Sequence, residues 1–292
     1  MAESPNTPSL QHSNTPGLAM PMTSIGGVEV SRVICGSNTF FGFSHFSSAR
    51  DAWLKRYFDI PKIVEVMAKC AEFGVNCVLS GPDPKMHQAI QDLERQAGHH
   101  MVWLCTPWAH DTAMTDAIKW TADHGAEICM PHTGWTDPRL NMARGCIEDL
   151  EPVLEQIRSL GMATGLSTHR PECIVVGDSA GYDIDAYIQP FNVIGFLCPV
   201  ETDWVGSIIR RTPKPVVYIK PLAAGRVMPE PGLGFVYRNN KPIDPVCIGF
   251  LSPEEAEADI KIALALMEHE QPDVELTMSR SKKHLAGDGA SG

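Results

Sequence analysis

The sequence predicts a single closed (β/α)8 barrel, the α/β TIM-barrel architecture, with a short β-hairpin before its first barrel strand. About eight short apolar runs alternate with segments of helical periodicity, and no linker interrupts the series. The 292 residues, 43% of them hydrophobic, are enough for one large domain. The Gly-rich turn of an open dinucleotide-binding sheet is missing after the first strand. We expect a flexible arm at 1–22, the barrel at 23–278 and a flexible tail at 279–292.

The first half of the chain supplies the hairpin and four strands. Residues 1–22 are rich in Ser and Pro without apolar periodicity, and Gly26-Gly27 predicts a tight hairpin within 23–30. A strand at 31–36 opens into an aromatic loop at 37–46. Gly74 and Gly125 mark helix ends. The predicted helices of this half are 60–73, 86–97 and 112–124, and the further predicted strands are 75–79, 101–105 and 127–130.

The second half continues the alternation. Gly161 ends an amphipathic helix at 147–160, and the continuous apolar segment 193–197 is expected to be buried. The Pro/Gly-rich stretch 229–245 is assigned neither helix nor strand. The remaining predicted helices are 171–177, 204–211 and 253–269, and the remaining predicted strands are 163–166, 186–189, 216–219 and 246–249.

The composition limits the function classes. A formal net charge of -11 argues against nucleic-acid and anionic-membrane partners, which call for a basic surface. No apolar run reaches the roughly 18–20 residues of a membrane span, and the N-terminus lacks a signal peptide's basic and apolar regions. The nine cysteines include no Cys-x-x-Cys pair. We expect a cytoplasmic protein with reduced thiols and a small-molecule substrate; a homo-oligomer is compatible with a barrel enzyme, although no interface can be named.

Four successive apolar runs each end in one ionisable side chain. These side chains are His132, His169, Glu201 and Lys220. Residues at the carboxyl ends of barrel strands converge on one pocket. Two imidazoles and a carboxylate would suit a divalent metal such as iron, manganese or zinc, so His132, His169 and Glu201 are the predicted ligands. The alternative is that the histidines bond loop backbone and that Glu201 pairs with a nearby arginine.

Lys220, His132 and Asp83 are the predicted catalytic residues. A lysine at a strand end in an apolar mouth has a depressed pKa when desolvated and can act as a general base or form a Schiff base. The alternative is a salt bridge from Lys220 to Glu201 or to a substrate carboxylate. Asp83 follows the second strand as a second candidate for moving a proton.

The substrate-binding candidates lie on the same predicted face of the barrel. Aromatic rings at a pocket rim stack on flat or sugar-like ligands, and arginines clamp anionic or polyhydroxylated ones. Each aromatic ring can equally belong to a loop core, and each arginine to a structural ion pair. The candidates are Asn38, His45, Trp108, Trp135, Arg170 and Arg226.

Several motifs resemble those of the aldo/keto reductase superfamily over most of residues 23–270. They are Gly-Gly-Val-Glu-Val-Ser at 26–31, Gly-Leu-Ser at 165–167, Pro-Leu-Ala-Ala-Gly-Arg at 221–226 and Ile-Gly-Phe-Leu-Ser-Pro-Glu-Glu at 248–255. The resemblance implies the barrel. It also implies an Asp, Tyr, Lys and His tetrad, of which only the His has an evident counterpart in this sequence, His132. The eighth-strand exit at 250–257 lacks basic residues for a ribose phosphate, so we do not expect NADP(H) as the cofactor.

These observations favour a metal-dependent lyase, isomerase or hydrolase acting on a small oxygenated, sugar-like or keto substrate in the barrel mouth. An NADP(H)-dependent reductase of the aldo/keto type, with His132 or Lys220 as a rearranged proton donor, is the alternative. A non-catalytic barrel used for binding or assembly is the third hypothesis.

Overall fold

The structure is a computed structural model that describes residues 19–108 and 114–272. The strands in chain order are β1 (Met22–Ile25), β2 (Val28–Ser31), β3 (Val33–Gly36), β4 (Cys77–Ser80), β5 (Val102–Cys105), β6 (Ile128–Cys129), β7 (Leu140–Asn141), β8 (Cys146–Ile147), β9 (Ala163–Ser167), β10 (Ala186–Pro190), β11 (Val216–Ile219) and β12 (Val246–Gly249). The predicted arm at 1–22 lies mostly outside the described residues, and the predicted tail at 279–292 lies wholly outside them.

The described helices surround the strands. They are α1 (Ser48–Tyr57), α2 (Ile60–Glu72), α3 (Pro84–Ala97), α4 (Met114–Asp123), α5 (Thr133–Thr136), α6 (Leu150–Ser159), α7 (Glu172–Ala180), α8 (Thr202–Arg211), α9 (Pro229–Asn239) and α10 (Pro253–Met267). None of these helices has the combination of length and apolar character needed to cross a membrane. All nine cysteines are free thiols.

Eight parallel strands close into a barrel in the order β3-β4-β5-β6-β9-β10-β11-β12. The last strand pairs with the first in register, from Val246 opposite Val33 to Gly249 opposite Gly36. Successive side chains of a strand point to opposite faces, so each strand serves two cores. Ile34 lies inside the barrel, whereas its neighbour Val33 packs against the outer helices. The predicted (β/α)8 fold class is confirmed.

The hairpin β1–β2 lies against the amino end of the barrel. Its Ile25 and Val30 are fully buried and belong to the interior cluster of the barrel. Gly26 turns the chain with a positive φ of 58°, and a Cβ there would collide with Asp185 and Ala163. Because one end is closed in this way, a ligand can enter from the carboxyl ends of the strands.

Three of the differences between the structure and the sequence-based expectation have a clear physical cause. Segment 193–197 was expected to be buried, but it lies in a loop where Val193 and Ile194 are 43% and 56% exposed. Helix α9 forms inside the Pro/Gly-rich stretch because its prolines lie in the first turn, where no backbone N–H is needed. Helix α1 was also missed, since its single fully buried residue, Leu54, gives almost no apolar periodicity.

Candidate active site

The carboxyl ends of the barrel strands surround one cavity of about 730 Å³. Its walls come from the loop after β3, from α1 and from the turns that follow β4, β5, β6, β9, β11 and β12. Of the predicted site residues, the cavity is lined by Asn38, His45, Asp83, Trp108, His132, His169 and Lys220. The strand-end convergence assumed from the sequence therefore holds for Lys220 and both histidines.

Lys220 is the residue immediately after β11, and its backbone is left-handed with a φ of 60°. Removal from water lowers the pKa of its amine from the usual 10.5 to about 8, since burial disfavours the charged form. Among the described residues its Nζ makes one polar contact, with His45 Nε2 at 3.4 Å. The ammonium thus faces the cavity without a carboxylate partner in the described part of the chain.

His45 lies in the loop between β3 and α1 and also has a left-handed backbone, with a φ of 52°. Its carbonyl oxygen accepts a hydrogen bond from Arg226 Nη2 at 3.0 Å. The Arg226 guanidinium stacks on the rings of Phe46 and Phe196, with its Cζ 5.4 and 4.4 Å from their centroids. Burial, and then the positive charge of Lys220, lower the pKa of His45.

His132 follows β6 and begins the short helix α5. Its Nδ1 accepts a hydrogen bond from the backbone N–H of Gly134 at 3.1 Å, so the neutral ring carries its proton on Nε2. Burial, followed by the charge of Lys220, lowers the pKa of His132. The Trp108 ring lies 5.7 Å from the imidazole, centroid to centroid. His132 is therefore a neutral hydrogen-bond donor whose tautomer is fixed by the backbone.

His169 follows β9 and is held through its main chain. Its backbone N–H lies 3.1 Å from both Thr133 Oγ1 and Asp137 Oδ2. Asp137 also accepts hydrogen bonds from the hydroxyls of Thr133 and Thr168, at 2.7 and 2.5 Å. Burial, followed by the charge of Lys220, lowers the pKa of His169 to about 4. Asp137 thus ties the turn after β6 to the turn after β9.

The two carboxylates that line the cavity are committed to helix ends. Asp83 precedes α3, and its Oδ1 accepts the backbone N–H of Lys85 at 2.8 Å. Glu255, in the first turn of α10, accepts the backbone N–H of Leu251, which lies two residues before that helix. Such capping satisfies helix N–H groups that would otherwise lack a partner. Asp83 therefore has a structural task in addition to its predicted catalytic one.

The predicted metal site is wrong. Glu201 is exposed at the start of α8, outside the cavity, because β10 ends at Pro190 and the chain passes through the loop 191–200 before α8. His132 and His169 therefore lack the carboxylate expected beside them. Over residues 19–108 and 114–272, no group of three His, Cys, Asp or Glu residues has the arrangement needed to hold a metal ion.

Three of the predicted substrate-binding residues do not line the cavity. Trp135 is 3% exposed and packs in the core between barrel and helices, where Arg139 stacks on it. Arg170 lies 3.9 Å from Glu172, the ion-pair alternative raised from the sequence. Arg226 secures the His45 loop. By contrast, Asn38 and Trp108 are exposed at the cavity mouth, and Trp108 is 65% exposed.

Sequence reasoning missed Arg50 and Ser167. Arg50 enters the cavity from α1, with its Cζ 4.0 Å above the Phe46 ring, and it takes part in none of the ion pairs within the described residues. It could not be found because α1 itself was not predicted. Ser167 is the last residue of β9 and lines the cavity two residues before His169. Its position at a strand end could have identified it, but only ionisable residues at strand ends were considered as catalytic candidates.

Comparison with solved structures relates this geometry to known proteins. A Pseudomonas aeruginosa protein assigned as an aldo-keto reductase aligns at 15% identity and a TM-score of 0.65 over 86% of this chain and 97% of its own. A glycerol dehydrogenase from Gluconobacter oxydans aligns at 11% identity and 0.55, over 88% and 98%. An archaeal Rubisco from Hyperthermus butylicus aligns at 15% and 0.52, over 87% of this chain and 66% of its own. No protein-family model and no curated protein sequence matches the chain.

The chain has an aldo/keto-reductase-like (β/α)8 fold, as the sequence motifs implied. The structures that it resembles over nearly their whole length are mostly aldo-keto reductases. The expectation of a metal-dependent lyase, isomerase or hydrolase is therefore wrong, and so is the expectation of a divalent metal cofactor. The same likeness contradicts the expectation that NADP(H) is not the cofactor.

Proposed function

We propose that the protein is an NADP(H)-dependent oxidoreductase that interconverts a small carbonyl compound and the corresponding alcohol. The observation that carries the proposal is the Lys220 ammonium, which lines the same cavity as the His132 imidazole and helps to lower the pKa of that imidazole. A carbonyl reductase needs a proton donor close to the carbonyl oxygen. The residues that an aldo/keto reductase would use at the second and third strand ends are not matched here, and Lys220 supplies a donor from β11 instead.

The cavity has room for a nicotinamide dinucleotide, and Arg50 offers it one cation. A volume of about 730 Å³ lies within the range of about 300–1,000 Å³ that ligand pockets span. The Arg50 guanidinium, outside the ion pairs of the described residues, would hold a phosphate. The Ser167 hydroxyl and the Asn38 amide line the same cavity and would hold uncharged polar groups. When bound, NADPH supplies the hydride that the carbonyl carbon receives.

Lys220 gives its proton to the carbonyl oxygen as negative charge develops there. A pKa of about 8 leaves the amine mostly protonated at pH 7 and still acidic enough to transfer the proton. His132 donates its Nε2–H to the same oxygen and polarises the carbonyl group while remaining neutral. In the oxidative direction, the Lys220 amine takes the proton of the alcohol. Trp108 and His45 border the space for the substrate.

The substrate is a small molecule, and the free thiols support a cytoplasmic location.

We expect the protein to consume NADPH with at least one of glyceraldehyde, an aromatic aldehyde, a diketone and a keto acid. Lys220→Met should lower kcat by about 10²–10⁴, the usual contribution of a general acid. Lys214→Met is the matched control, because Lys214 precedes the strand that Lys220 follows and lies 3.6 Å from Asp178. Failure of the wild type with every carbonyl, or equal rates in Lys220→Met, would contradict the proposal.

A further inference from the structure

The amine of Lys220 has the environment of a nucleophile as well as that of an acid. It lines a cavity large enough for a small carbonyl compound and has no carboxylate partner among the described residues. A carboxylate would keep the amine charged, whereas burial without one favours the neutral form, whose lone pair can attack. Near pH 8 about half of the amine is neutral, given its pKa of about 8.

His45 lies where proton transfers to and from this amine would occur. Its Nε2 is 3.4 Å from Lys220 Nζ, and its ring reaches the outer face of the cavity. Both residues have left-handed backbones, a conformation that is unfavourable for residues other than glycine. The hydrogen bond from Arg226 to the His45 carbonyl holds one of these conformations in place. Such conformations persist where the surrounding structure imposes them, often at functional sites.

We propose that Lys220 captures small aldehydes and ketones as an imine in this cavity, with His45 moving the protons. Nζ adds to the carbonyl carbon, and its lost proton passes through His45 to the former carbonyl oxygen, giving a carbinolamine. The C–O bond then breaks as His45 gives a proton to the leaving hydroxyl, and the remaining N–H proton passes to His45, so that one amine and one carbonyl yield one imine and one water. This activity goes beyond carbonyl reduction, since it needs no cofactor.

The ionisation of Lys220 separates the two activities. Carbonyl reduction uses the ammonium, so it weakens as pH rises through about 8. Imine formation uses the neutral amine, so it strengthens over the same interval. Opposite pH dependences of two reactions at one residue would not arise from a lysine with only a structural role.

Trapping of the imine by reduction with cyanoborohydride tests the proposal directly. The full-length protein, without NADPH, is incubated with butanal and sodium cyanoborohydride at pH 6.5, 7.5 and 8.5, and each lysine's modification is followed by peptide mass spectrometry. We expect Lys220 to react at least about tenfold faster than Lys214, with a rate that rises across this pH range. His45→Ala should slow the modification of Lys220 about tenfold and leave the rate of modification of Lys214 unchanged.

Two variants complete the test. Lys220→Arg keeps the charge but cannot form an imine, so the fast-reacting site should disappear while the protein stays folded by circular dichroism. Lys214→Met should keep the fast-reacting site. If Lys220 in the wild type reacts no faster than Lys214, the imine proposal is overturned. NADPH binding is measured separately, so trapping without cofactor binding would remove the reductase alone, and binding without trapping would remove the imine alone.

Discussion

The amine of Lys220 lies 3.4 Å from Nε2 of His45. Lys220 follows β11 and His45 lies in the loop after β3, with β12 between these two strands in the barrel. Each group lies in surroundings that disfavour its charged form. Burial lowers the pKa of both, and the charge of Lys220 lowers that of His45 further. Near neutral pH the two groups therefore carry at most one positive charge between them. This suits a site that transfers a proton.

Replacement of Lys220 by methionine should stabilise the fold at pH 7. The pKa of Lys220 in the folded protein is about 8, below its usual 10.5. Between these values the unfolded chain binds more protons, so the stability of the wild type rises with pH; below pH 8 the full cost of the buried ammonium remains. We expect Lys220→Met to gain on the order of 1–3 kcal/mol at pH 7 and to lose that advantage by pH 10.5.

Thermal denaturation of the wild type and of Lys220→Met from pH 6 to 10.5 measures this difference. Lys214→Met controls for the loss of a lysine near the same strand. A Lys220→Met protein that is less stable than the wild type at pH 7 would show that the ammonium has a partner that stabilises it.

His132→Ala should lower kcat far more than it changes KM. The Nε2–H of His132 strengthens its bond to the substrate oxygen as charge develops there, and loss of one such donor costs about 10²–10³ in kcat. His132→Gln keeps an N–H donor and should recover part of the rate. Because the pKa of His132 is lowered, the imidazole is neutral across pH 7–9 and adds no titration to the rate profile in that range. A rate that depends on protonation of His132 above pH 7 would contradict this role.

The barrel could be predicted from the sequence because every barrel strand is a short apolar run between helices. All eight predicted barrel strands overlap observed ones. The positions of Lys220, His132 and His169 followed from the same rule, since each lies within three residues of the end of a strand. The pattern of apolar residues predicts the buried strands. It therefore also located the site residues that lie at the ends of those strands.

The rule failed at Glu201 for a physical reason. Segment 193–197 is as apolar as a buried strand, yet it is an exposed loop after β10, so the residue that follows it is not at a strand end. Apolar residues on loops carry no periodic signature that separates them from core strands. Arg50 was missed for the converse reason: α1 buries little, so the sequence gave no sign that this helix brings a cation to the cavity.

Asp137→Asn should disorder the turns that carry His132 and His169. Asp137 accepts the hydroxyls of Thr133 and Thr168 and the backbone N–H of His169. An amide nitrogen cannot accept these bonds, and a buried donor left unpaired costs about 1–3 kcal/mol. We expect a loss of stability of that size and a fall in kcat of about tenfold or more. Asp203→Asn, on the exposed face of α8, is the control; equal behaviour of the two variants would argue against this positioning role.

Asp259→Asn should stabilise the protein above pH 7. Asp259 is 2% exposed on α10, and burial, followed by the nearby charge of Glu255, raises its pKa from 3.8 to about 7. Between these values the folded state binds more protons than the unfolded chain, so the stability of the wild type falls as pH rises, and the full cost remains above pH 7. Denaturant unfolding at pH 4 and pH 8 measures it. A variant that gains nothing at pH 8 relative to pH 4 would refute the assignment.

Titration of NADPH into the protein, followed by its fluorescence, tests the central claim most directly. We expect saturable binding by the wild type at micromolar NADPH, and a dissociation constant about tenfold higher for Arg50→Ala, the loss of about 1.4 kcal/mol. Arg144→Ala, on the hairpin β7–β8 away from the cavity, should bind like the wild type. Wild-type protein that shows no saturable binding up to about 1 mM NADPH, which corresponds to less than about 4 kcal/mol of binding free energy, would contradict an NADP(H)-dependent oxidoreductase.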